Sequence, residues 1–217
     1  MRIAILGTGA VGKTIASKLI ELGHQIMLGS QTNTNEKGLE FVNKYEKNVA
    51  LGTFEEAANF GEIIFNCVRG EFSIAALQSA KSGIENKILI DISIPVDTSH
   101  GAPISLIPEL CNTNSLGEEI QKKFPFTKVV KTLNTMWSTL MVFPSMLKDG
   151  DHTNFICGND EEAKTTVKKL LKEIGWKDES ILDLGDIVGS RGTEATVLLW
   201  LRIWNSTSGT FSLKVVN

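Results

Sequence analysis

The sequence predicts a doubly wound α/β fold built on a mostly parallel sheet, and three observations carry that expectation. Short apolar runs alternate along the chain with longer amphipathic ones. The apolar runs are nearly continuous, as in parallel strands covered on both faces. A glycine-rich turn, "GTGAVG" (7–12), joins the first apolar run to the first amphipathic segment. With 217 residues, 42% of them hydrophobic, the chain can bury one sizeable core with a small annex.

The elements follow in order. "RIAIL" (2–6) is the first strand. Val11, Ile15, Leu19 and Leu22 then fall on one helical face, with Lys13, Lys18 and Glu21 elsewhere, and Gly23 is placed to end the helix. "HQIML" (24–28) and "NVALG" (48–52) are the next strands. Thr53 and Glu56 have capping-box spacing ahead of a short helix, "FEEAANF". "EIIFNCV" (62–68) is a strand, and "EFSIAALQSA" (71–80) a helix expected to close at Gly83. "KILIDIS" (87–93), "KVVKTLN" (128–134) and "TNFICG" (153–158) complete the strands, with a loose Pro-, Gly- and Ser-bearing loop over 95–115 expected near a ligand crevice. Ala163, Val167, Leu170, Leu171 and Ile174 form a late apolar stripe closed by Gly175, and "VLLWLRIW" (197–204) reads as a buried helix.

The glycine turn carries the chemistry. Gly7, Gly9 and Gly12 have G-x-G-x-x-G spacing between a strand and a helix, which is the context a dinucleotide-binding loop requires. The first glycine permits the tight turn, the second lets a pyrophosphate approach the backbone, and the third lets helix and strand pack closely. Thr8, Ala10 and Val11 complete the loop, whose helix offers free N–H groups to phosphate. A phosphate loop of the triphosphatase type is excluded, because Gly12-Lys13-Thr14 lacks the four-residue spacing between glycines. Residues 1–150 are therefore expected to form a dinucleotide-binding Rossmann core, with 151–217 a strand–helix extension packed on it.

After the second strand an NAD-binding protein places an acid for the ribose hydroxyls. Here stand Gly29, Ser30, Gln31, Thr32 and Asn33, without negative charge and rich in donors. The loop favours NADP(H), although the arginine that would grip a 2′-phosphate is absent and Gln31 takes its place, with Lys37 nearby.

Ligands of such sheets lie beyond the carboxyl ends of the strands. That adds Asn66, Cys67, Val68 and Arg69 beside the adenosine and phosphates, and Ser93, Pro95, Asn134 and Thr135 nearer the nicotinamide. Each has a plainer alternative. Asn66 and Cys67 can simply finish a buried strand, Asn134 can cap the following helix, and Arg69 can be solvated beside Glu71. His100 is more plausibly a surface residue than an acceptor contact, and Arg191 and Glu194 are spaced to pair along a helix. Met136, Trp137, Met141 and Phe143 offer a floor for a flat ligand, with core packing or burial against a second copy of the chain, as a homodimer, as alternatives.

The remaining composition excludes several classes. A net charge of −3 gives no electrostatic reason to expect nucleic acid or an anionic membrane. No apolar run approaches the ~18 residues of a membrane span. The start lacks the pattern of a secretory signal, so a cytoplasmic protein is expected. Cys67, Cys111 and Cys157, and His24, His100 and His152, have neither metal-ligand spacing nor a disulfide framework. No Ser-His-Asp set or carboxylate pair stands out, so no catalytic residue is assigned.

The run "ILGTGAVGKTIASKLIELGHQIMLGSQ" resembles the opening of the NADP oxidoreductases that use a deazaflavin coenzyme, F-420, and the cytosolic domain of the six-transmembrane metalloreductases is similar. "VVKTLNT" (129–135), "NFICGNDEEAKTTVKKLLKEIGW", "LDLGDIVGSRGTEATVLLWLRIW" and the tail "FSLKVV" extend the resemblance over nearly the whole chain. The family typically reads Gly-Ser-Arg where this chain has Gly29-Ser30-Gln31, and often Asn-Pro at Ile94-Pro95. The resemblance implies hydride transfer between NADP(H) and a small-molecule acceptor, a flavin or a deazaflavin such as F-420. Cofactors would carry that chemistry while the protein orients two rings. The alternatives are a non-catalytic NAD(P)-binding redox sensor and a reductase of a small imine or carbonyl compound.

Overall fold

A computed structural model describes residues 1–45, 47–99, 101–207 and 210–216. The chain runs β1 (Arg2–Leu6), α1 (Ala10–Glu21), β2 (Gln25–Ser30), α2 (Glu36–Tyr45), β3 (Val49–Thr53), α3 (Phe54–Phe60), β4 (Ile63–Asn66), α4 (Gly70–Ser79), α5 (Lys81–Ile84) and β5 (Ile88–Asp91). It continues through β6 (Val96–Asp97), β7 (Ser105–Leu106), α6 (Leu116–Lys123), β8 (Lys128–Thr132), α7 (Ser138–Val142), β9 (Asn154–Gly158), α8 (Glu161–Ile174), β10 (Ile181–Asp183) and α9 (Ser190–Thr207).

Eight strands form one sheet in the order β10-β9-β8-β5-β4-β1-β2-β3. From β1 the chain winds outward through β2 and β3 on one side, then returns to build β4, β5 and β8 on the other. The reversal between β1 and β4 opens the crevice in which such sheets take ligands. β9 runs antiparallel to β8, and β10 pairs with β9, so the sheet crosses residue 150 without a break. The fold is the expected mostly parallel α/β Rossmann type with a C-terminal helical region.

Side chains of β1 divide between two cores. Ile3 and Ile5 pack with Ile15 and Leu19 of α1 and with Leu140 of α7, while Ala4 and Leu6 pack with Ala57 of α3 and Ile120 of α6 on the other face. The period of two gives each face its own apolar set, which is why these strands read as continuous apolar runs. The capping box is realised: Thr53 N donates to Glu56 Oε2 at 2.7 Å and Glu56 N to Thr53 Oγ1 at 3.2 Å. Gly23 (φ +85°) and Gly175 (φ +125°) follow α1 and α8 in the left-handed region that a side chain would strain.

Two expectations need correction. Gly83 does not close the helix begun at residue 70; α4 stops at Ser79, and Gly83 lies inside α5, where a Cβ would meet Ala58 and Asn59 at 2.7 Å. Close packing against α3, not chain termination, demands glycine there. Nor is 197–204 buried. In α9 the buried residues are Ser190, Thr193 and Glu194, all near its start, while Leu198 and Leu199 are 41% and 56% exposed. The helix lies outside α6 rather than inside the core, so most of its apolar residues over 197–204 are only half-buried and Leu198 and Leu199 are left open.

Candidate functional site

The glycine loop leaves β1 at Gly7, whose φ of +114° and contact with β4 exclude any side chain: a Cβ would stand 2.7 Å from the Cys67 carbonyl oxygen. A Cβ on Gly12 would stand 2.3 Å from the Gly7 carbonyl oxygen. Gly9 differs, because a Cβ there would meet nothing within 4 Å. The other two glycines are demanded by the protein itself; the space before Gly9 is open to a ligand. Gly9 precedes α1 without a side-chain cap, and no acid occupies the first turn. The first N–H groups of α1, at Ala10, Val11 and Gly12, thus lack intrahelical partners and carry the positive end of the dipole. Thr8 donates its hydroxyl to Asn35 Oδ1 at 3.1 Å, just before α2.

The loop after β2 holds a surprise for the donor count. Ser30 is buried and its hydroxyl donates to the Thr32 carbonyl, so that donor is already spent. Gln31 is exposed and lines a cavity of 560 Å³ with Thr53, Phe54, Glu55, Val68, Phe72, Ala75, Ala76 and Ser79. Lys37 is exposed on the first turn of α2.

A second cavity, of 420 Å³, begins at Val11 in the glycine loop. Its walls are Cys67 to Gly70 after β4, Ile92 to Ile94 after β5, Val96 and Thr98, then Asn134, Met136, Trp137, Ser138 and Met141 after β8, and Trp200 of α9. The loose 95–115 loop therefore reaches the crevice, where β6 and β7 form a small antiparallel pair. Gly70 permits the β5 exit to close on α4, since a Cβ there would stand 2.1 Å from the Ile94 carbonyl oxygen.

Leu133, next to Asn134, is buried yet has φ +62°. A bulky residue in that region is strained by about 1–3 kcal/mol, and such strain gathers at functional sites. Asn154 holds it there, its Oδ1 accepting from Leu133 N and Thr132 Oγ1, both at 3.2 Å. Asn134 is 5% exposed, and its Oδ1 and Nδ2 have no partner among the described residues. The capping alternative fails, because α7 begins only at Ser138 with Trp137 at the cap position. A buried carboxamide left unpaired costs about 1–3 kcal/mol unless a ligand completes it. Trp200 Nε1 is likewise buried and unpartnered. Thr135 is buried beside Asn134 but is not among the cavity walls.

Asn66 ends β4 fully buried, donating to Asp91 Oδ1 at 2.8 Å and accepting from Val68 N at 3.3 Å. Arg69 pairs with Glu71, donates to Thr98 Oγ1 at 3.0 Å and lies over the Phe72 ring. Burial, then the nearby Asp91 carboxylate, pushes the Cys67 thiol far up, which disfavours its reactive thiolate form. Phe143 does not line the cavity; Lys18 Nζ of α1 sits 4.8 Å from its ring centroid. His100 lies outside the described residues.

Beneath the cavity is a cluster that local sequence patterns do not reveal. Lys131 of β8 is fully buried, with Nζ 2.8 Å from Asp91 Oδ2 and 2.7 Å from Glu194 Oε1. Glu194 also accepts from Leu116 N at 2.9 Å and Gly117 N at 3.0 Å at the start of α6. Burial works to lower the Lys131 pKa, but Asp91 and Glu194 outweigh it and hold the ammonium charged. The Arg191–Glu194 pairing is thereby corrected: Arg191 instead donates to Glu118, its Nε to Oε2 at 2.8 Å and its Nη2 to Oε1 at 2.7 Å. Both side chains had stronger partners on α6 and β8 than on their own helix. Trp200 and Thr98 were likewise missed, being far from the glycine loop in sequence. Among the described residues no helix is long and apolar enough to cross a membrane, and no group of three His, Cys, Asp or Glu side chains is placed to hold a metal ion.

The profile of the family "NADP oxidoreductase coenzyme F420-dependent" matches residues 2–95. A crystal structure from Arthrobacter sp. FB24, provisionally described as an F420-dependent NADP-reductase, shares 41% identity, with a TM-score of 0.91 over 99% of each chain. The F420-dependent NADP reductase of Methanocaldococcus jannaschii is 28% identical over all of this chain and 99% of its own length. The rat metalloreductase STEAP3 is 30% identical over 94% of this chain, which spans only 38% of that relative.

Proposed function

This chain belongs to the coenzyme F420-dependent family of NADP oxidoreductases, and from that premise we propose that it passes hydride between NADP(H) and a flat flavin-like or deazaflavin (F-420) acceptor. The observation that carries the reading is the 420 Å³ cavity, which starts at the glycine loop and ends between Met136, Trp137, Met141 and Trp200 around an unpaired, buried Asn134 carboxamide. When bound, the dihydronicotinamide supplies the hydride.

The protein's part is to bind, orient and keep dry. The N–H groups at the start of α1 and the open face of Gly9 receive the pyrophosphate, with Gly7 and Gly12 fixing the turn. Gln31 and the cavity bounded by Phe54 and Phe72 receive the adenosine end, with Val68 shared by the two cavities and Arg69 on the wall of the other. The Asn134 carboxamide, with both a donor and an acceptor free, suits the nicotinamide carboxamide. Methionine and tryptophan walls exclude water from the ring-stacking region, where hydride transfer needs proximity rather than a protein acid or base. The exposed apolar face of α9 supports a homodimer, and the family setting supports a cytoplasmic, small-molecule role.

The test is a calorimetric titration with NADPH and with NADH, followed by stopped-flow oxidation of bound NADPH by F-420 and by FMN. The expected outcome is about tenfold or greater preference for NADPH and single-turnover hydride transfer to at least one of the two acceptors. Binding of NADPH without transfer to either would leave the redox-sensor alternative in its place.

A further inference from the structure

The helix that carries Trp200 is attached mainly by its first turn. Its buried residues are Ser190, Thr193 and Glu194, and its principal packing partners are α6 and the short turn Ile187–Gly189 before it. Trp200 nevertheless forms a wall of the 420 Å³ cavity, and Trp204 meets Trp137 edge-on at 6.1 Å. The orientation of this helix therefore sets the cavity's width, and the most deeply buried ion pair holding it is Glu194 to Lys131, at 2.7 Å with both side chains almost completely buried.

Lys131 does more than hold a helix. Its ammonium also bonds Asp91 and the Ser93 carbonyl. Asp91 Oδ1 in turn accepts from Ser93 Oγ at 2.6 Å and Asn66 Nδ2 at 2.8 Å. Lys131 is itself three residues before Asn134. One charge thus joins the β5 exit, the β8 exit and α9, which together supply the part of the cavity remote from the glycine loop.

We propose that Lys131 and Glu194 are positioning residues, their buried ion pair seating α9, and with it Trp200, against the hydride-acceptor end of the cavity while leaving the nucleotide end unaffected. The acceptor assignment rests on the function proposed above; the seating of the helix does not, and it is measured separately.

The experiment uses the full chain carrying Glu194→Gln, which keeps the size of the side chain and one acceptor for α6 but turns an amide toward Lys131. Hydrogen exchange is followed with and without NADPH. About a tenfold or greater loss of protection is expected in 190–207 and 133–138, with the glycine loop and α1 within about twofold of the parent. NADPH affinity, held mainly by the glycine loop and the adenosine cavity, should fall by no more than about threefold through the loosened Asn134 contact, while KM for whichever acceptor the parent reduces rises about tenfold and kcat changes little. Should Glu194→Gln fail to fold, Arg191→Ala removes the half-exposed second tether to Glu118 and should loosen the same two segments to a smaller degree. Unchanged protection of α9 in the folded variant, or loss spread evenly over the sheet with NADPH affinity falling in step, would overturn the proposal. A parent that reduces no acceptor would defeat the function proposed above, and the exchange pattern would still decide whether this pair seats the helix.

Discussion

Thr8 in the glycine loop donates to Asn35 Oδ1 at 3.1 Å, and the same oxygen accepts from Gly38 N at 3.0 Å. One carboxamide therefore caps α2 and ties the pyrophosphate loop to the segment that follows Gln31. Thr8→Val keeps the shape and removes the donor. It should weaken NADPH binding about fivefold, the worth of one net hydrogen bond of ~1 kcal/mol, with little effect on unfolding. Asn35→Ala loses the cap as well and should lower stability by about 1 kcal/mol. Calorimetry and thermal unfolding check both, and parent-like NADPH affinity in Thr8→Val would mean that the tie does not orient the loop.

The three loop glycines should separate into two kinds. A Cβ on Gly9 meets nothing within 4 Å, so Gly9→Val should fold with a parent-like melting temperature and lose measurable NADPH binding. A Cβ on Gly12 would stand 2.3 Å from a backbone oxygen, so Gly12→Ala forces the strand and helix apart and should cost about 1–3 kcal/mol as an overpacking substitution. Retained binding by Gly9→Val would show that the phosphates do not cross this face.

Most of the framework was legible because it is local. Strand runs, the Thr53–Glu56 capping box and the glycine loop are written in residues within a few positions of one another. The cluster under the cavity was not, since Asp91, Lys131 and Glu194 come from three distant elements. A partial signal existed: Asp91 and Lys131 are charged residues inside otherwise apolar runs, and they are in-register neighbours on adjacent strands. Glu194 gave none, because its spacing from Arg191 pointed to the wrong partner. The apolar 197–204 run failed as a guide for a related reason: hydrophobicity says that a face seeks cover, not whether this chain or another surface supplies it.

Gln31→Arg tests the cofactor end. Gln31 is exposed at the cavity that we assign to adenosine, and its Ser30 neighbour has already given its hydroxyl to Thr32. A guanidinium there should tighten NADPH by about 1–2 kcal/mol through a charge-assisted contact and leave NADH nearly unaffected. Parallel titrations with the two nucleotides read the difference. Equal gains for both would place the new side chain on the pyrophosphate instead.

Acid should reveal the tether between α6 and α9. The Arg191 side chain, bonded to Glu118, holds that carboxyl below the usual carboxylate range, against the opposing effect of burial. A depressed carboxylate contributes stability that is full above its unfolded value and is lost as pH falls through the lower folded value. Unfolding measured from pH 7 down to pH 3 should therefore fall more steeply for the parent than for Arg191→Ala, the two curves converging at the acid end. Parallel curves would mean that the pair contributes nothing to folding.

Thiol chemistry gives an independent check on burial around the cavity. The thiolate is the reactive form, and burial opposes it. Desolvation drives Cys67 far upward, with the Asp91 carboxylate adding to it, and pushes Cys157 up to about 12 despite the nearby Lys131 ammonium. Cys111 lies partly exposed after β7, its Sγ 3.5 Å from the Pro108 carbonyl oxygen. At pH 8 a maleimide or aromatic disulfide reagent should therefore modify Cys111 first in the native chain, with Cys67, also partly exposed, slowed by its raised thiol, and all three cysteines once denaturant is added. NADPH should change the fast-reacting count little, because Cys67 is already slow without it. Fast labelling of Cys67 that NADPH suppresses would show instead that the β4 exit opens in solution, and the cavity walls would then be less rigid than the packing around Asn66 and Asp91 implies.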